Sequence, residues 1–193
     1  MKFNNFFFMN ISRKNIFKRI FYGKYGRNSV IYKPLVIVNK RNIYLGNNVS
    51  FFCGARIECI NEWENSPYEG KLIIGDNTSF EQNAHITSAE KIIIGSNCVF
   101  SARVLITNIN HDYSKIDCNV LKQDLIVKDV KIGNNCFFGM DSKVFPGVSI
   151  GDNVIVGANT IVTQNVPSYS VVVGCPARVI KKYNFDKKRW EMV

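Results

Sequence analysis

The chain of 193 residues holds two histidines, His85 and His111. They are its only side chains whose unperturbed pKa lies near neutrality, so proton transfer at physiological pH points to them first. His111 sits in the stretch TNINHDYS, residues 107–114, directly followed by Asp112 and Tyr113. Imidazole there can act as a general base, taking a proton from a weak nucleophile and returning one to a leaving group. Asp112 or Tyr113 would bond a substrate hydroxyl, orient the ring, or simply face water; sequence leaves these open. Cys118 offers a second chemistry, a covalent cysteine intermediate with His111 as its activator. The six cysteines form no C-x-x-C pair and no cluster with the histidines, so the chain is expected to hold no metal and to keep reduced thiols in a cytoplasmic setting. A zinc enzyme with three histidine ligands is excluded by a count of two.

The net charge of +10 is confined to one end. Residues 1–41 carry ten Lys/Arg and no Asp or Glu, and the remainder carries fifteen of each sign. A nucleic-acid-binding face would spread its basic stripe through the fold, so no nucleic-acid partner is expected. The first thirty residues mix this charge with Phe6, Phe7, Phe8, Ile16, Phe17, Ile20 and Phe21. They read as a basic amphipathic segment that either packs on the body with its cations in water or rests on the inner face of an anionic membrane. No apolar run reaches the length of a membrane span.

From Ile132 onward the chain divides every six residues, as IGNNCF, FGMDSK, VFPGVS, IGDNVI, VGANTI and VTQNVP. Each block opens on an apolar residue, the second position is often glycine, and the fifth is small or β-branched. Three upstream runs keep the frame, opening at Leu45, Phe51 and Ile57, at Ile74, Phe80 and Ile86, and at Ile94, Phe100 and Ile106. Six fits neither a helix nor an uninterrupted strand; it suits short strands separated by corners, with the openers stacked into one core. Glycine and asparagine after the opener are expected to supply positive φ at those corners. The frame breaks twice, over residues 61–71 and, at greater length, from Thr107 to about Val130. His111 therefore lies at the root of the longer insertion, and insertions of that length in repeat folds project from the core.

These repeats, with the terminal run VVVGCPARVIKKY, resemble the hexapeptide-repeat acyltransferases over about residues 31–183. The resemblance implies an all-β fold, a left-handed parallel β-helix over residues 31–167, with the projecting loop at about 107–130 and a C-terminal segment at 168–193. It also implies a homotrimer with the donor site between subunits. The stretch around His111 is similar to the segment that carries the catalytic histidine of galactoside, maltose and bacterial glycan O-acetyltransferases. Asn83 matches a residue that contacts the acceptor sugar, and its alternative is a corner asparagine. His85, last in FEQNAH, either takes part at the acceptor or faces solvent or a neighbouring subunit. Acetyl-CoA is the implied co-substrate, its pantetheine arm lying against Gly139, Met140, Gly157 and Ala158. Thr163 and Gln164 match a Val-Thr-Lys segment in which glutamine replaces the lysine. Arg178, with Lys181 and Lys182 near it, would meet the 3′-phosphate of coenzyme A. Phe137 stands where many glycan acetyltransferases carry tryptophan, which keeps an apolar wall and loses an N–H donor.

The reading that follows is an acetyl-CoA-dependent O-acetyltransferase acting directly on a sugar hydroxyl of a bacterial surface polysaccharide or its precursor. N-acetylation of a nucleotide-linked amino sugar is the alternative within the fold. A non-catalytic structural β-helix is the alternative outside it, disfavoured by the irregular outward positions and the long loop.

Overall fold

The computed structural model describes residues 20–193, so most of the basic N-terminal segment lies outside the described residues. The chain winds through three sheets that form the faces of a left-handed parallel β-helix. The first face stacks Lys24–Tyr25, Ile43–Leu45, Lys71–Ile74, Lys91–Ile94, Val130–Ile132 and Ser149–Ile150 in parallel. The second runs from Val30–Ile31 to Ile155–Val156, and the third from Val36–Val38 to Ile161–Val162. Lys24 already belongs to the first coil, ahead of the expected start at residue 31.

All fifteen openers of the hexapeptide frame point inward, none more than 4% exposed. On the second face they include four phenylalanines, Phe51, Phe80, Phe100 and Phe138, stacked ring on ring at 4.2, 4.4 and 4.5 Å between centroids. Parallel in-register coils place like on like, so each added coil extends the same apolar column. The fifth positions complete the core: Cys98, Cys136, Ser142, Val148, Val154 and Thr160 are all buried. Cys98 and Cys136 are thus core residues, as their repeat position predicts.

The roles expected of glycine and asparagine at the corners separate in the structure. Positive φ falls on the fourth position of the repeat, at Asn48, Asn77, Asn97, Asn135, Asn153 and Asn159. The second-position glycines are absent from the positive-φ set. Their requirement is space: a Cβ on Gly133 would lie 2.7 Å from the carbonyl carbon of Gly151 and 2.8 Å from the Asp152 nitrogen. Glycine lets successive coils touch at the corner, while asparagine tolerates the left-handed turn. The asparagines also bond along the stack, with Asn28 Nδ2 donating to Asn48 (3.2 Å), Asn48 to Asn77 (2.9 Å) and Asn77 to Asn97 (3.1 Å).

Two insertions leave the third face. The shorter contains the strands Glu62–Trp63 and Ser66–Pro67, paired antiparallel. The longer is closed at its base by Ile109–His111 paired antiparallel with Leu125–Val127. At the C-terminus Ser170–Val173 extends the second face, then Arg178–Asn184 and Arg189–Met192 add two antiparallel strands. No helix among the described residues is long and apolar enough to cross a membrane.

Candidate active site

The stretch TNINHDYS is the hinge between coil and loop, and its residue types explain the turn. Asn108 is fully buried, and its side chain accepts from the Ala89 amide at 2.9 Å. Its backbone carbonyl accepts from Lys128 N at 3.0 Å, joining the two ends of the loop. Thr107 Oγ1 accepts from the Ile109 amide at 3.2 Å. These bonds satisfy polar groups where the ladder ends, so the chain leaves the core at a fixed point. The strand that follows carries His111 opposite Leu125.

His111 lines a cleft of about 380 Å³ between the outer surface of the third face and the two insertions. Its floor is two rows of neighbouring outward side chains. Arg56, His85 and Leu105 form one row, and Glu58, Thr87 and Thr107 the other. Trp63 of the shorter insertion forms a wall, its ring 5.1 Å from the His111 ring and tilted by 59°. Both histidines of the chain therefore face one cavity. The volume falls in the range of small-ligand sites.

The electrostatics differ between the two imidazoles. Glu58 is gripped by Arg56 in a two-pronged pair at 2.6 and 3.0 Å, and its carboxylate stands 3.9 Å from His85 Nε2. His85 Nε2 also meets Thr87 Oγ1 at 3.0 Å. Burial, and then the Arg56 charge, hold the His85 pKa below its usual value against the opposing pull of Glu58. His111 Nδ1 is buried without a hydrogen-bond partner among the described residues.

The other expected acceptor residues stand apart from this cleft. Asp112 turns its carboxylate onto the Ser114 amide and hydroxyl at 2.9 and 3.1 Å, which lowers its pKa. Its side chain thus forms a local turn instead of orienting the ring. Tyr113 is exposed, and Asn83 occupies a corner at φ 59°. Cys118 rests beside Asn119 and does not line the cleft, so nothing places its thiol against His111. The residues expected to meet the donor lie elsewhere. Gly139 is tightly packed on Ala158, and the Asn159 amide bonds the Met140 carbonyl at 2.8 Å. Gly157 meets Val173 in the same way. Thr163, Gln164 and Arg178 are exposed and Lys181 is half-buried near the C-terminal strands, while Phe137 projects outward from the second face. None of these lines the His111 cleft. Among the described residues no group of three His, Cys, Asp or Glu could hold a metal ion.

Sequence reasoning missed the contribution of the shorter insertion. Trp63, Arg56 and Glu58 carry no motif, and only Trp63 lay within a visible break in the frame. The two insertions are bonded to one another, with Trp63 Nε1 donating to the Gln123 carbonyl (3.1 Å), Ser66 Oγ to Asp124 (2.6 Å), and the Leu125 amide to Tyr68 Oη (2.9 Å). Such pairings between distant segments leave no periodic signal.

A family model described as the hexapeptide repeat of succinyl-transferase matches residues 129–164. The putative lipopolysaccharide biosynthesis O-acetyl transferase WbbJ of Escherichia coli K12 is 31% identical over 196 residues, covering 95% of this chain and 92% of that protein. Galactoside O-acetyltransferase of the same strain is 30% identical over 138 residues, 67% of this chain and 65% of that protein. Among solved structures, the N-acyltransferase AntD from Bacillus cereus has the same fold, with a TM-score of 0.70 at 22% identity and 90% of each chain covered. Coils, corners and a full-length relative agree: the chain belongs to the hexapeptide-repeat acyltransferases.

Proposed function

We propose that this acetyltransferase moves the acetyl group of acetyl-CoA directly onto a sugar hydroxyl of a bacterial surface polysaccharide or its precursor, with His111 as general base. The observation that carries this reading is the position of His111: it is rooted by a buried asparagine and faces an open cleft of small-ligand size. The likeness to WbbJ along nearly the whole chain supports the substrate class. In the reaction the imidazole takes the hydroxyl proton as the sugar oxygen attacks the thioester carbon. The C–S bond then breaks, and the imidazolium returns the proton to the departing thiolate, leaving an acetyl ester and coenzyme A. The Arg56–Glu58 pair cancels its own charge, so the cleft suits a neutral acceptor.

The donor residues stand outside the cleft of their own chain, which suits a homotrimer whose groove between copies brings the thioester of one side to the His111 of the other. The pantetheine arm would follow Gly139, Met140, Gly157 and Ala158, with Thr163, Gln164, Arg178 and Lys181 toward the nucleotide end. The basic N-terminus would hold the enzyme near a lipid-linked acceptor at the inner membrane face. The test is acetyl-CoA turnover against free, nucleotide-linked and lipid-linked sugars, with product ester or amide identified by mass spectrometry. Ester formation supports the proposal. Amide formed on a nucleotide-linked amino sugar establishes N-acylation instead, and absence of turnover on every acceptor removes the enzymatic reading of this cleft.

A further inference from the structure

A histidine base commonly has its second nitrogen held by a carboxylate or a carbonyl, which fixes the ring. No such partner reaches His111 Nδ1 among the described residues. The nearby acids are committed elsewhere: Asp112 to Ser114, Asp124 to Ser66, and Glu58 to Arg56. What touches the ring is the indole of Trp63. Trp63 is itself fixed, because its Nε1–H donates to the Gln123 carbonyl. Gln123 is 5% exposed, and its side chain bonds the Lys115 amide and carbonyl at 3.0 Å each and the Cys118 carbonyl at 3.2 Å, closing the long loop on itself.

Resting on the reading of His111 as base, we infer that Trp63 is a positioning residue for the reaction. Packing against the indole replaces the missing hydrogen bond as the restraint on the imidazole, and the shorter insertion exists to deliver it. Small rotations of a base away from the attacking hydroxyl reduce transition-state stabilisation without weakening donor binding.

Two measurements on the full chain test this. The first reads the contact: a long-range proton–nitrogen spectrum contains the two imidazoles of the sequence. Trp63→Leu should move the His111 signals and leave those of His85 in place; unmoved His111 signals overturn the inference. The second reads the role. Trp63→Leu should lower kcat roughly 10- to 100-fold with KM for acetyl-CoA unchanged, and Trp63→Phe, which keeps a ring and loses the N–H, should recover most of it. In a His111→Ala background, adding Trp63→Leu should change the residual rate less than about 2-fold, since there is no imidazole left to hold. Equal losses in both backgrounds overturn positioning and assign Trp63 a structural role. A parent enzyme without acetyl transfer would instead overturn the proposed function, so the two failures are told apart.

Discussion

The asparagine corner and the His111 cleft lie on the same coils and treat polar groups in opposite ways. At the corner the amides of Asn28, Asn48 and Asn77 each find the next asparagine along the stack, as far as Asn97. In the cleft a buried imidazole nitrogen has no partner, and a histidine on the floor has its pKa held down. Repetition satisfies hydrogen bonds because every coil supplies the same donor to the same acceptor. A site departs from repetition, so its groups are fixed by contacts made once. The corner should therefore be costly to stability and silent in catalysis, and the cleft the reverse.

The largest effect should come from the cleft. His111→Ala is expected to lower kcat about 10³- to 10⁴-fold, the range of a lost general base, with the thermal midpoint within a degree or two of the parent. A variant that keeps turnover near the parent rate would remove His111 from the chemistry. Next comes the core behind the corner. Phe100 stacks between Phe80 and Phe138, and Phe100→Ala should cost about 3–5 kcal/mol in chemical denaturation, since rigid coils cannot close the cavity. Arg178→Ala tests the donor end: the KM for acetyl-CoA should rise about tenfold while kcat changes less, as expected for a lost charged phosphate contact worth about 1.4 kcal/mol. An unchanged KM would take Arg178 out of the donor site.

The same contrast explains what the sequence made legible. Every opener from Leu45 to Val162 could be read as core, because one period governs them all. The place of His111 was legible because the frame stops there. The frame could not separate the job of Gly133 from that of Asn135, since backbone φ and coil-to-coil clearance both select unusual residues at corners. Nor could it join Trp63 to His111, which meet only through the tertiary pairing of two insertions. Nor could it choose among the roles open to Asp112: adjacency to His111 left bonding a substrate, orienting the ring or facing water equally available, and the carboxylate is found closed on Ser114 just past the strand's end.

A smaller change probes the corner itself. Asn77 sits at φ 55° and bonds both neighbours in the stack. Asn77→Gly keeps the left-handed turn and deletes the amide, so it should cost about 1 kcal/mol, the net worth of exposed ladder bonds. Asn77→Ala adds the left-handed penalty of about 1 kcal/mol and should be the worse of the two. The ordering is read from denaturation midpoints, and equal losses would show that the ladder, not the turn, selects asparagine there. Activity should be unaffected in both.

The smallest effect concerns the second histidine. His85 has its pKa lowered below its ordinary value of about 6.5, first by burial and then by Arg56. The folded protein then binds this proton less readily than the unfolded chain. As pH falls through about 6.5 the unfolded state takes up the proton first, so stability contributed by neutral His85 is full above that pH and declines below it, until the folded pKa is passed. His85→Gln keeps an amide that can meet Thr87 Oγ1 and removes the titration. Between pH 7.5 and 5.5 the parent should lose more stability than the variant, by a small margin because the ring is part-exposed. The difference of the two curves isolates His85, since every other titrating group is common to both. Parallel curves would mean that the ring protonates as freely in the folded cleft as in the unfolded chain, and the cleft floor would then carry an imidazolium in mildly acidic solution.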